Sequence, residues 1–361
     1  MTDVAQRMPR RVDGVDAARG LALIGMFVAH VSPAVESLQA AEFIALADER
    51  PRLLFALTAG IGLGFISGGT RPIVDGRPEL RRQIAIRSVI LIGLGFVIWA
   101  TLSPLVFIIL DVYGVAFLVM LPLLFIRPGA ALGLGAGLLA VTPALAELGA
   151  RTEFVAQVRD TPFKFLSDWV VGGAYPVIVW VPVMLIGLAL ARMDVASPRV
   201  VGLVALGGTA AASVFLPLST LLPAPEVAAE AGWSVPLRAS LETLGNTGVG
   251  LVVVAAMLTL LELARPGVRR VAGTFLSPVV AMGFMPLSVY TIHLVVISLA
   301  KRRENGFLTD DSWLLLIGLV VGSMVFAWLW RRYLGRGPLE RALRWASGRD
   351  RAEVEESPLR G

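Results

Sequence analysis

Long apolar runs alternate along the chain with short polar interruptions. A run of about 18 or more residues with few charges has the length that crosses a bilayer core as a helix. Ten runs are predicted to do so, over 17–37, 53–69, 84–103, 105–126, 129–148, 174–191, 200–222, 243–263, 274–300 and 312–331. They are continuous rather than alternating, so they predict helices and not the strands of a barrel. The expected fold is an all-α, polytopic transmembrane helix bundle of about ten spans, with an eleventh if 104–126 divides. One domain is expected over 1–332. Residues 333–361 are expected to form a basic cytoplasmic tail, with a short interfacial helix starting near Pro338, a residue suited to a first helical position.

The polar interruptions set the orientation. Loop 70–83 carries Arg71, Arg77, Arg81 and Arg82; loop 264–273 carries Arg265, Arg269 and Arg270; the tail carries Arg331, Arg332, Arg336, Arg341 and Arg344. Loops 38–52, 149–173 and 223–242 hold Glu42, Asp48, Glu49, Glu153, Glu226 and Glu230. Arginine-rich loops stay in the cytoplasm, so both termini are expected inside. Lys301, Arg302 and Arg303 are the exception, because ten spans put them outside. In the longest external loop, "DTPFKFLSDW" reads as a short interfacial helix, with Phe163, Phe165 and Trp169 at headgroup level.

Composition agrees. Hydrophobic residues make up 56% of the 361 and charged ones 16%, against about 25% charged in soluble domains. The net charge of +5 is accounted for by the inside loops, so no nucleic-acid partner is inferred. Cysteine is absent, which removes disulfides, thiolate nucleophiles and cysteine metal sites. Membrane lipids are the expected surroundings, and a homo-oligomer is left open.

The informative residues are the polar ones inside the runs, because an ionisable group in a membrane span is by default a functional candidate. Both histidines of the chain, His30 and His293, lie there. At about 1.5 Å per residue, Asp16 and Arg19 start the first span at the cytoplasmic face and His30 reaches the outer half. Counting along the ninth span from Phe275 brings His293 to the same half. Asp111 and Tyr113 enter the fourth span from outside, Asn246 the eighth and Tyr175 the sixth. This predicts an outer polar layer of His30, His293, Asp111, Tyr113 and Asn246 over inner arginines Arg19 and Arg87. An imidazole beside a carboxylate is a general-base arrangement, and arginine forks suit phosphates. The structural alternatives are interhelical hydrogen bonds for the histidines, and snorkelling or pairing with Asp16 for the arginines. No metal site is expected, because the two histidines lie far apart in sequence without a clustered carboxylate pair.

"VDAARGLALIGMFVAH" resembles the first span of the YeiB-like bacterial membrane proteins, which are similar to the heparan-alpha-glucosaminide N-acetyltransferases and, more distantly, to the membrane O-acyltransferases of surface glycans. Asp16, Arg19 and Gly20 carry the opening pattern. Arg19 and His30 have the arginine, ten residues, histidine spacing of the O-acyltransferases. In the N-acetyltransferase branch the His30 position looks like asparagine, with a histidine in the next loop; loop 38–52 here has none. "RLLFALTAGIGLGF", "DVYGV", "GGAYPVIVWVPVMLIGLALAR", "GFMPLSVYTIHL" (with Tyr290) and "GPLERALR" extend the likeness along most of the chain.

The resemblance implies a multi-pass protein of the bacterial plasma membrane. Its implied activity moves an acyl group from cytoplasmic acyl-CoA, acetyl-CoA foremost, to an extracytoplasmic glycan or lipid-linked sugar. His30, Asp111 and His293 are then expected as catalytic groups. Tyr113, Tyr175, Asn246 and Tyr290 are expected to serve the oxyanion or acceptor, and Asp16, Arg19 and Arg87 the donor. The competing reading is a proton-coupled transporter of a small molecule or lipid, against which the sequence offers no inverted repeat.

Overall fold

The computed structural model describes residues 11–174, 176–223, 232–304 and 306–348. Each predicted run is occupied by helix. The first four give α1 (Asp13–Val31), α3 (Arg50–Ile66), α4 (Arg77–Leu102) and α5 (Leu110–Met120), the last ending in a 3-10 turn over Leu121–Leu123. The next three give α6 (Pro128–Ala150), α9 (Val177–Arg192) and α10 (Pro198–Thr220). The remainder are α11 (Ser234–Leu258), closed by a π-helical turn over Thr259–Leu263, α12 (Pro266–Phe284), α13 (Pro286–Ala300) and α14 (Trp313–Tyr333). Short helices α2 (Leu38–Ala45), α7 (Glu153–Arg159) and α8 (Lys164–Val170) sit in the expected outside loops, and α15 (Pro338–Ala346) in the tail. The interfacial helix expected from "DTPFKFLSDW" is α8.

Among the described residues, six helices are long and apolar enough to cross a membrane, or seven if α12 and α13 count as one span. The shorter helices α3 and α9 occupy the middle of the bundle. All of α9 is buried except Ile178, and a helix that is apolar all round and buried all round belongs to the core. Glycines let the central helices approach to backbone contact, as small residues do in membrane proteins. A Cβ on Gly60 would strike the carbonyl of Met184, and one on Gly187 that of Leu57, so α3 and α9 have no room for a side chain between them. The same holds for α1 against α12: a Cβ on Gly20 would meet the Val279 carbonyl, and one on Gly283 the Asp16 carbonyl.

Two expectations need correction. Run 274–300 is not one straight span, because α12 and α13 meet at 82°. Pro286 is the physical reason: it has no N–H to continue the helix, and its ring pushes the preceding residue out of helical geometry. Met285 accordingly sits at φ −128°, ψ 58°. The fold is also not purely helical, since Arg302–Glu304 (β1) and Phe307–Thr309 (β2) pair as an antiparallel hairpin. Two of the exceptional cations have backbone acceptors. Lys301 Nζ donates to the carbonyls of Leu102 (2.9 Å) and Ser103 (3.0 Å) at the end of α4, and Arg302 donates to the Asp311 carbonyl at 2.5 Å.

Arg331 reaches Asp13 at 3.3 Å, so α14 ends where α1 begins. The tail helix α15 lies at the same end, packed on α13 and α4.

Gly283→Ala should destabilise the protein by about 1–3 kcal/mol, the scale of overpacking. Gly318→Ala, where a Cβ meets nothing within 4 Å, should not. Thermal unfolding of both variants in detergent checks the pair.

Candidate active site

The break between α12 and α13 leaves polar backbone inside the bundle, and the site is built around it. The last turn of α12 has carbonyls without helical partners. Arg19 NH1 donates to Gly283 O (3.1 Å), and Arg11 NH2 donates to Phe284 O (3.0 Å) while stacking on the Phe284 ring at 3.8 Å. Both guanidinium groups also hold Asp16: Arg19 NH1 to Oδ1 at 3.0 Å and Arg11 Nε to Oδ2 at 2.6 Å. Arg19 NH2 then reaches across to Thr58 O on α3 at 2.9 Å. The buried Asp16 carboxylate is therefore neutralised by two cations, which is what its burial requires.

On the other side of the break, α13 carries the second histidine. His293 is fully buried and His30, near the far end of α1, is half-buried. Their rings stack with centroids 5.4 Å apart, and His30 Nδ1 lies 3.2 Å from His293 Nε2. His293 Nδ1 lies 2.5 Å from the Tyr290 carbonyl. A carbonyl only accepts, so His293 Nδ1 carries the proton and, in the neutral ring, Nε2 is the acceptor. His30 Nδ1 must then be the donor in the contact between the rings. That leaves the Nε2 lone pair of neutral His30 without a partner among the described residues. A chain of carbonyl, imidazole and imidazole thus fixes one tautomer and one ring orientation at the half-exposed residue. Tyr290 is itself anchored, its hydroxyl accepting from Ile109 N at 3.0 Å at the start of α5.

The remaining expected residues divide into separate groups. Asp111 does not join the histidines. Its Oδ2 accepts from Trp169 Nε1 of α8 at 2.8 Å, and its Oδ1 is buried with no partner among the described residues. Tyr113 points to a different face of α5, donating to Phe55 O at 2.8 Å amid Phe55, Phe117 and Trp180. Its hydroxyl is committed to structure. Asn246 belongs to a separate cluster: it accepts from Arg50 Nε (3.0 Å) and donates to Glu49 Oε2 (3.1 Å), while Glu49 pairs with Arg52 and Arg52 donates to Ala174 O (2.9 Å). Next to it, burial pushes the Asp48 carboxyl above its ordinary range, with Arg52 opposing the shift. Arg87 is half-buried on α4. Tyr175 lies outside the described residues. No cluster of three or more His, Cys, Asp or Glu among the described residues could hold a metal.

Several polar anchors escaped the sequence reading. Arg192, in the last turn of α9, donates to the carbonyls of Gly64 (3.3 Å), Ser67 (3.3 Å), Gly69 (2.7 Å) and Leu124 (2.5 Å) and to Ser67 Oγ (2.8 Å). It gathers the ends of α3 and α5. Its only signal in the sequence was an arginine closing an apolar run. Arg50, Arg52 and Glu49 looked like ordinary loop charges.

Residues 11–221 match the family model described as heparan-alpha-glucosaminide N-acetyltransferase, catalytic. The chain belongs to this family. It is thereby a membrane protein of acetyltransferase-like type, related to the YeiB-like group. A second match, to a family described as of unknown function (DUF418), spans residues 190–350. No curated protein matches the chain. In this N-acetyltransferase-family protein His30 falls in the first matched stretch and His293 in the second, so the histidine contact joins the two.

Arg192→Lys should lose the planar fork that serves several carbonyls at once. The expected cost is about 1.5–3 kcal/mol, visible as a lowered midpoint of thermal unfolding with the helical content of the folded protein unchanged.

Proposed function

We propose that the protein is a membrane-embedded acyltransferase, taking an acyl group from acyl-CoA on the cytoplasmic side and passing it to a hydroxyl or amine of an extracytoplasmic glycan or lipid-linked sugar. The observation that carries this reading is the free Nε2 of His30, held in one tautomer by His293. In the direct route His30 Nε2 takes the proton of the acceptor O–H or N–H as that atom attacks the thioester carbonyl. The C–S bond then breaks, and the imidazolium returns the proton to the departing thiolate. In the two-step route Nε2 attacks the thioester carbonyl, the C–S bond breaks and the thiolate leaves; the acceptor O–H or N–H then attacks the acyl-imidazole, the N–acyl bond breaks, and the acceptor's proton passes to the freed Nε2. His293 serves both routes by taking up the hydrogen bond from Nδ1, which stabilises positive charge on the His30 ring.

Ten crossings with both termini cytoplasmic fit this scheme, the crossing helices being α1, α3–α6, α9–α11, α13 and α14. Acetyl-CoA is the favoured donor, in keeping with the name of the matched family, which is that of an N-acetyltransferase. Arg87 remains a candidate for the donor phosphates. Arg19 has both terminal nitrogens occupied by protein acceptors, which favours a role in ordering the inner end of α1 with Asp16 over direct donor contact. Half-buried Arg50 and Arg52, backed by buried Asn246, are the polar groups an acceptor would meet, and Tyr175 follows directly on Ala174 in sequence.

A transporter would use a broken helix as an open ion or substrate site. The break here is closed on one side by Arg11 and Arg19 and on the other by Glu340 of α15, which favours the enzyme.

With acetyl-CoA and purified protein in detergent, His30→Ala should lower acyl transfer or hydrolysis by about 100-fold or more, the range of general-base catalysis, while donor binding is retained. Unchanged turnover in a folded His30→Ala variant would defeat the reading. The orientation is checked separately by single cysteines in this cysteine-free chain. Glu42→Cys and Gln157→Cys should react with an impermeant maleimide added outside intact cells, and Asp75→Cys and Ala346→Cys only after lysis. The reverse pattern would put the donor and acceptor on the wrong sides.

A further inference from the structure

The tail helix makes a contact that the catalytic reading does not use. α13 starts inside the protein at the break, so its first backbone N–H groups have neither helical partners nor water. The Glu340 carboxylate supplies the partners. Oε1 accepts from Leu287 N at 2.7 Å and Ser288 N at 3.1 Å, and Oε2 accepts from Ser288 Oγ at 2.5 Å. Ser288 Oγ in turn accepts from Leu339 N at 3.0 Å, tying the first turn of α15 to the first turn of α13. A carboxylate at a helix N-terminus also meets the positive end of the helix dipole, and the burial of Ser288 keeps water from competing. The approach is close: a Cβ on Gly337 would lie 2.6 Å from Met285 Cβ and 2.8 Å from Ser288 Oγ.

What α13 carries makes this contact more than an attachment of the tail. Tyr290 and His293 follow Ser288 within two turns, about 7.5 Å along the axis. The Tyr290 carbonyl fixes the His293 tautomer, and His293 fixes His30. α13 has only 15 residues, and its connection to α12 is the bend itself. A rotation of its first turn is therefore passed on to the His293 ring rather than absorbed by a continuous helix.

We infer that Glu340 is a positioning residue for the histidine pair, holding α13 so that His293 presents Nε2 to His30 Nδ1. The tail helix is then part of the site's framework. In its catalytic consequence, though not in its structural one, the inference rests on the acyltransferase reading.

The two histidines are the only ones in the chain, so the spectrum of protein labelled with 15N-histidine reports the pair alone. The wild type should show His293 as a single Nδ1-protonated tautomer. In Glu340→Ala that signal should shift or split as the contact with His30 is lost. Glu340→Gln keeps an acceptor oxygen for the two amides and should return the spectrum towards wild type. Arg341→Ala, on the same helix but bonded among the described residues to the Leu334 and Arg336 carbonyls alone, should change nothing. Ser288→Ala removes the hydroxyl bridge alone and should give the Glu340→Ala change in smaller measure; it decides the matter if Glu340→Ala fails to fold. In a transfer assay kcat should fall about 10- to 100-fold, the effect of misplacing a catalytic group by about 1 Å, with KM for the donor unchanged. A wild-type histidine spectrum in folded Glu340→Ala, or in Ser288→Ala where Glu340→Ala does not fold, would overturn the inference. A wild type without transferase activity would overturn the acyltransferase reading and leave the spectral test standing.

Discussion

The interruption of helix at Met285 is the constraint on which the rest of this structure depends. A break in lipid is costly, because every freed N–H and C=O must find a partner inside the protein. Here the partners come from distant parts of the chain: Arg11 and Arg19 serve the carbonyl side, and Glu340 serves the amide side. The cations bring Asp16 with them, and Arg19 adds the bond to Thr58 that fastens α3. One proline thus organises the start of α1, the middle of α3, the junction of α12 with α13 and the tail. The tight glycine packing of α1 on α12 follows, since Arg19 reaches the Gly283 carbonyl only if the two backbones nearly touch.

The same break sets the geometry of the histidine pair. A short, separately held α13 can be aimed independently of α12, and it brings His293 against α1. A pair of imidazoles suits a dry site. An imidazole oriented by a carboxylate brings a second charge into low dielectric, whereas an imidazole oriented by another imidazole and a carbonyl stays neutral until the reaction places a proton on it. The structure accordingly keeps Asp111 away, on Trp169 at the α5–α8 contact, and places its charged groups at the two ends of the bundle.

Much of this was legible in the sequence. Apolar run length located the long helices, and the two histidines singled out inside apolar runs lie in contact with each other. Their meeting was reached by counting 18 residues of straight helix from Phe275, a route the 82° bend invalidates. α12 and α13 run in different directions, and His293 is placed by the shorter α13. Asp111, Tyr113 and Asn246 were grouped with the histidines on depth alone. Depth says nothing about rotation around a helix axis: Asp111 and Tyr113, two residues apart, point to different faces and have different partners. The polar anchors were the least legible. Arg192 and Glu340 sit where terminal arginines and tail charges usually face headgroups. Their acceptors and donors are backbone groups freed by helix ends, which no side-chain pattern announces.

The two family matches divide the chain where the structure does not. The first stretch, 11–221, contains α1 with His30 and Arg19; the second, 190–350, contains α13 with His293 and α15 with Glu340. The first stretch alone would hold a histidine with neither tautomer nor orientation fixed, and an Asp16–Arg19 pair without the carbonyls it caps. The second alone would hold a broken helix with its carbonyl side uncapped. Arg192 lies where the matches overlap and binds α9 to the ends of α3 and α5. The polar contacts around the helix break therefore cross between the stretches and tie the described bundle to its tail helix.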